Sequence, residues 1–229
     1  MTSRDRNAGA LGLGAERQLA QEEPGAARET ATGQAIRNGT ETAAEALSEL
    51  ARLVGKVAEE NSGWIARMSS VLVRCYSSGG KVLACGNGGS ATQADHAAAE
   101  LAGKFYRDRR ALPALSLTDN VASLTAVSND LGYETVFSRQ IEGLGRPGDV
   151  LMAFSTSGKS PNILEAVKIA GDMGLVIMGF TGQGGKSFAG SCHHCLVVPS
   201  LDPARIQEVH LAVAHNICAL TEAALFERR

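Results

Sequence analysis

The sequence predicts a three-layer α/β protein: a five-stranded parallel sheet with helices on both faces and a helical extension at the N-terminal end. Five short apolar runs, residues 81–85, 114–117, 150–154, 175–181 and 195–199, alternate with stretches of helical spacing. That alternation marks a parallel sheet covered on both sides. Two of the strand-to-helix junctions carry loops dense in glycine or serine. A chain of 229 residues, 44% of them hydrophobic, fills one sizeable core, and two complete domains would be a tight fit.

Residues 1–38 are rich in Ala, Gly, Glu, Arg, Gln and Thr, and no aromatic residue precedes Trp64. With little to bury, this segment is expected to be a flexible tail, leaving residues 39–229 as a single domain. From Thr40 onward Ala44, Leu47, Leu50, Val54, Val57, Ile65, Met68, Val71 and Leu72 recur at helical spacing. They predict one long or kinked helix, or two joined near Asn61-Ser62-Gly63. Further helices are predicted over residues 90–104, about 134–143, 161–174 and 204–226, with a short one near 186–190. Ile206, Val209, Val213, Ile217, Leu220 and Ala224 form the apolar stripe of the last.

A net charge of −2 and a pI near 6.2 provide no broad basic field for nucleic acid or an anionic bilayer. The apolar runs are too short to span a membrane, and the first 24 residues lack the apolar segment of an export signal. A cytoplasmic protein is expected. Cys75, Cys85, Cys192, Cys195 and Cys218 are odd in number and scattered, unlike the even, dense set of a secreted disulfide scaffold.

In Cys85-Gly86-Asn87-Gly88-Gly89-Ser90-Ala91 a strand meets glycines and then a helix. Backbone N–H groups there can approach an anion closely, the helix N-terminus favours negative charge, and Ser90 is a candidate N-cap. The loop also matches the dinucleotide pattern G-x-G-x-x-A, which wants an acidic residue about 20 positions on. Asp119 lies 33 positions after Gly86, which argues against a nicotinamide cofactor. A tight turn binding nothing is the remaining alternative.

The second loop, Ser155-Thr156-Ser157-Gly158-Lys159-Ser160, has four hydroxyls and one lysine ahead of Pro161, a favoured first helical residue. Free backbone N–H groups and hydroxyls make a compact phosphate cradle. Ala153 to Ser160 reads A-x-x-x-x-G-K-S, but the first glycine of a nucleotide P-loop is absent and Ala153 falls within the strand. One phosphate suits it better than three. Ser and Thr merely capping the helix would give the same spelling.

His96 and Glu100 share a helix face at i,i+4, a spacing that can hold a divalent metal or serve as acid and base, or be an ordinary surface pair. The last helix adds Gln207, His210 and His215, and histidines in so apolar a helix are usually core or interface residues. Gln207 and His215, eight residues apart, are separated by about 12 Å of helical rise. They cannot both bind one ion unless the helix breaks or two subunits contribute. Cys192-His193-His194-Cys195 looks like half a zinc site, without a second C-x-x-C. Residues 104–110, Lys-Phe-Tyr-Arg-Asp-Arg-Arg, read as a solvated helix end where the dipole favours cations.

From about Leu47 to Phe226 the sequence resembles the bacterial phosphoheptose (sedoheptulose 7-phosphate) isomerases of the sugar isomerase (SIS) class. The matching residues are Cys85 to Ser90, His96 with Glu100, Asn129-Asp130, Gly148 to Leu151, Ser155 to Gly158, and Arg205-Ile206-Gln207-Glu208 with His215. The resemblance implies a flavodoxin-like sheet, a homotetramer with active sites between subunits, and a zinc ion held by His96, Glu100, Gln207 and His215. It also implies that Ser155, Thr156, Ser157 and Ser160 hold the substrate phosphate. Asn87, Gly88, Gly89, Ser90, Asn129 and Asp130 would line the sugar, with Glu100 and Gln207 also touching substrate. Glu100 and His215 would be the acid and base of an aldose–ketose isomerisation in heptose precursor synthesis.

Lys159 stands where Asn is common in the family, and Ala91 and Ala204 stand where some members have His and Asp respectively. Two other readings stand beside this one. A noncatalytic SIS module, like the replication-initiator-associating relatives, would bind a phosphosugar or a protein, although those relatives lack the full His, Glu, Gln, His set. A related isomerase of a natural-product sugar pathway would take another ketose phosphate.

Overall fold

The structure is a computed structural model that describes residues 24–226, with side chains from residue 33. The chain divides into two units, residues 1–46 and 47–229. In the first, residues from Pro24 belong to the opening helix α1 (Pro24–Ser77). Residues 24–38, expected within the tail, are therefore helical, and residues 1–23 lie outside the described residues. Ala, Arg, Glu and Gln favour a helix without any packing, and nearly every side chain from 34 to 46 is exposed.

In the second unit α1 continues without a break through Asn61-Ser62-Gly63. Met68, Val71, Leu72 and Cys75 on its inner face are buried in the core, so packing holds the helix through a locally poor stretch.

The sheet follows: β1 (Val82–Gly86), β2 (Ala114–Ser116), β3 (Val150–Ser155), β4 (Val176–Gly182) and β5 (His194–Val198). All pairs are parallel, in the order β2-β1-β3-β4-β5. The helices are α2 (Gly89–Ala102), α3 (Val121–Leu131), α4 (Ser138–Leu144), α5 (Pro161–Asp172), α6 (Lys186–Gly190) and α7 (Pro203–Phe226). The pleat sends alternate residues to opposite faces. Val82, Ala84, Val150, Met152, Phe154, Met178 and Phe180 pack with α1, α2 and α7. Leu83, Cys85, Leu151, Ala153 and Ile177 pack with α4, α5 and Phe188 of α6.

The buried carboxylate of Asp149 accepts from Lys81 Nζ (2.5 Å), Lys81 N and Arg146 N (2.9 Å each), tying the entrance of β1 to that of β3. The registers Cys85↔Ala153 and Gly86↔Phe154 then bring the ends of these two strands level. Their loops leave the sheet side by side, at the position where the strand order reverses.

Helix α3 has no counterpart in the periodicity. None of its side chains is buried, so it lacks the apolar stripe that betrays a helix, although Asn120 caps it through Ser123 N at 3.0 Å. Helix α7 is the described helix whose length and hydropathy alone would suit a membrane span. Its Ile206, Val209, Val213 and Ile217 are buried on the sheet, as in the core helix of a globular domain.

Candidate active site

The glycine loop is shaped by what cannot fit. A Cβ on Gly86 would collide with the backbone carbonyl of Ser90, and Gly88 adopts φ 54°, a region that favours glycine. Gly88, rather than Ser90, is the N-cap; the positive φ starts the helix early and buries Ser90 in its first turn. Asn87 is locked by neighbours. Its Nδ2 donates to Asn162 Oδ1 and its Oδ1 accepts from Asn162 Nδ2, both at 2.8 Å, while Tyr133 Oη donates to the same Oδ1 at 3.0 Å.

The serine loop closes on Gly158, at φ 64°, where a Cβ would stand 2.7 Å from Gly185 Cα. Gly158 N donates to Ser155 O and Ser155 Oγ, and Lys159 N to Ser157 Oγ. Ser160 occupies the N-cap of α5 without a side-chain capping bond, so its hydroxyl is not committed to the helix. Ala153 lies wholly buried in β3, which removes it from any nucleotide-type loop. Asn87, Ser90, Ser155, Thr156, Ser160 and Gln207 line one small crevice of about 90 Å³ between the loops, a volume in keeping with a single phosphate.

The crevice is bounded on its far side by α7. A Cβ on Gly89 would stand 2.7 Å from the Gln207 carboxamide, and Gln93 Nε2 of α2 donates to Gln207 O. Further along the same helix pair, His215 Nε2 lies 2.9 Å from His96 Nε2, which lies 3.0 Å from Glu100 Oε1. These three side chains have ligand atoms within 4.8 Å of one another, the one such group among the described residues. Burial lowers the His215 pKa, helped by His96 and opposed by Glu100.

His96, Glu100 and His215, brought together from positions 119 residues apart, thus form one cluster. Gln207 does not join it within one chain; it stands at the crevice, as the rigid rise of α7 requires. Asn129 and Asp130 occupy the exposed last turn of α3, bonded to each other at 2.7 Å, and do not line the crevice. His210, five residues before His215, is wholly buried against Phe154 and Phe180, its Nε2 3.3 Å from Thr181 O. His193 Nδ1 accepts from Ile177 N at 3.0 Å, so the C-H-H-C segment serves the sheet edge. Tyr133 and Asn162, which set the Asn87 side chain, were invisible in the sequence because each acts only through a residue remote along the chain.

The comparisons with known proteins bear on this geometry. A model described as the SIS domain matches residues 47–182. The chain is 48% identical over 170 residues to a phosphoheptose isomerase of Campylobacter jejuni, covering 73% of this chain and 91% of that protein. The chain belongs to the SIS-domain family, among the phosphoheptose isomerases. A relative of the same description from Rhodospirillum rubrum is 48% identical over 161 residues, 70% of this chain and 86% of that one. The solved phosphoheptose isomerase of Neisseria gonorrhoeae superposes with TM-score 0.76 at 37% identity, covering 80% of this chain and 98% of its own. That of Francisella tularensis does so with TM-score 0.77 at 34% identity, covering 80% and 97%. Both share the five-stranded parallel SIS architecture. The family match ends at Gly182, so α7, with Gln207 and His215, lies beyond it.

Proposed function

We propose that this chain isomerises sedoheptulose 7-phosphate to D-glycero-D-manno-heptose 7-phosphate, supplying heptose precursors in the cytoplasm, with residues 39–229 as its working domain. The observation that carries this reading is the placement of a phosphate-sized crevice and a His–Glu–His cluster along one helix pair, α2 and α7. The hydroxyls of Ser155, Thr156, Ser157 and Ser160, at the N-terminal end of α5 where the helix dipole favours negative charge, hold the phosphate. Asn87, Gly88, Gly89, Ser90 and Gln207 line the sugar between them. Binding energy from the remote phosphate orients the reacting end.

Moving the carbonyl from C2 to C1 requires transfer of one carbon-bound proton and one hydroxyl proton. Glu100 takes the proton from C1 while His215 protonates the C2 oxygen, giving an enediol. His215 then accepts the O1 proton as Glu100 returns its proton to C2, and the aldose results with both groups restored.

The donor set of His96, Glu100 and His215 fits a zinc ion. Two imidazole nitrogens and a carboxylate oxygen converge within 4.8 Å, the mix that catalytic zinc sites use with one position left open. When bound, zinc would stand in for the His215 proton, polarising the carbonyl and stabilising negative charge on the enediol oxygens, while Glu100 would still move the carbon-bound proton. Gln207 can serve as fourth ligand only if a second copy supplies it, which favours a homotetramer with active sites between subunits.

The test is turnover of sedoheptulose 7-phosphate by the purified, zinc-loaded protein, followed by separation of ketose and aldose phosphates. Aldose product is expected, with loss of activity on chelation and recovery on zinc addition. No product from the metal-replete protein would overturn the proposal.

A further inference from the structure

The run of residues 104–110, whose composition suggested a solvated helix end, hides a buried ion pair. Arg109 Nε donates to Glu222 Oε2 at 2.8 Å, and each side chain is 2% exposed. Burying two charges this deeply is costly unless their remaining donors and acceptors are used, and here they are. Glu222 also accepts from the backbone N–H of Phe105 (2.9 Å), Tyr106 (2.8 Å) and Arg107 (2.7 Å). These bonds hold the carboxylate below its ordinary pKa against the opposing effect of burial. The guanidinium donates to Glu100 O, Leu101 O and Gly103 O, each at 2.9 Å, and to Arg110 O. The first three are carbonyls at the C-terminal end of α2, where no further turn of helix supplies a donor.

We propose that the Arg109–Glu222 pair is a positioning device for the reaction: it fixes the turn of α2 that carries Glu100 against the part of α7 that carries His215. Arg109 bonds the carbonyl of Glu100 itself. Glu222 lies two turns beyond His215 on α7 and anchors the segment carrying Phe105, whose ring packs 5.5 Å from the His215 ring. Both members of the acid–base pair are thereby referred to one rigid point. The helices have a second tie at the crevice end, Gln93 to Gln207, so loss of the clamp loosens the reacting end while leaving the phosphate end in place. Arg109 reaches Glu100 only at its backbone carbonyl, and neither residue bonds the cluster's ligand atoms or lines the crevice, so both act through others.

The inference rests on Glu100 and His215 being the reacting groups. Glu222→Gln keeps the volume but turns an accepting oxygen into an amide donor facing backbone N–H groups. In the zinc-loaded full chain it should lower kcat by at least about tenfold, as misplacement of reacting groups does. KM for sedoheptulose 7-phosphate and inhibition by inorganic phosphate should stay within about twofold. Phe105→Ala, which removes the ring beside His215 and leaves the ion pair intact, should lower kcat about threefold or more with the same unchanged KM. A folded Glu222→Gln with kcat within twofold of wild type would overturn the proposal. So would losses that merely track the folded fraction measured by circular dichroism. Should Glu222→Gln fail to fold, Phe105→Ala decides alone, and a wild-type kcat there overturns it. Turnover retained by Glu100→Gln would instead sink the active-site assignment on which the inference rests.

Discussion

The crevice between the two loops and the His–Glu–His cluster lie along the same two helices, yet they are built in opposite ways. The crevice is made mainly of two short contiguous segments, residues 86–90 and 155–160, and its shape follows from local backbone: glycines at positive φ and a helix start. The cluster has no local geometry of its own. His96 and Glu100 come from α2 and His215 from α7, and their approach depends on how two helices pack on one face of the sheet. A binding site of this kind can be carried by a loop, whereas a site that moves protons needs groups fixed from several directions.

The difference is open to attack by mutation, beginning at the cluster. Glu100→Gln or His215→Gln should reduce kcat by about 10³-fold, the scale of a lost general acid or base, while KM changes little; steady-state kinetics of the zinc-loaded protein would check both. Equal damage to KM would mean that these side chains hold the ground state and that the two regions are not separate in function. Thr156→Ala or Ser157→Ala should do the reverse. Each removes a bond to a charged phosphate worth about 1.5–3 kcal/mol, so KM should rise roughly ten- to hundredfold, with a smaller change in kcat. Unchanged KM in both variants would remove the phosphate from the serine loop.

The smallest effect on turnover is expected at His210, a core histidine outside the cluster. Burial pushes its pKa down from 6.5 to about 4, so the folded protein keeps it neutral while the unfolded chain takes up a proton. The unfolded state is therefore favoured as pH falls from about 6.5 towards 4, and stability lost over that window amounts to about 3 kcal/mol. Thermal melts across this range should show a flatter pH dependence in His210→Gln than in the wild type, with little change in kcat at pH 7. The same slope in both proteins would place the titration elsewhere.

His210 and His215 also mark the limit of inference from the chain alone. Both sit in one apolar helix, and nothing in their local sequence separates a histidine of the core from one of the cluster. Only the tertiary contacts do, Phe154 and Phe180 around the first, His96 beside the second. Helix α3 escaped for the opposite reason, having no buried face to create a period. Arg109 reads as surface charge because its partner, Glu222, stands 113 residues away.

What the sequence determined by itself was whatever depends on neighbours in the chain. The alternation of buried strands with helices marks the parallel sheet, glycines and serines mark the two strand-to-helix turns, and the i,i+4 spacing places His96 beside Glu100. The helix rise also kept Gln207 and His215 from sharing an ion within one chain, since an α-helix is too stiff to bend eight residues onto one point. Tertiary structure decided which of these features meet. It levelled the two loops through the β1–β3 register, brought His215 to His96, buried Arg109 with Glu222 and left Gln207 at the crevice. Such meetings arise from packing between segments far apart in sequence, and no local pattern encodes them.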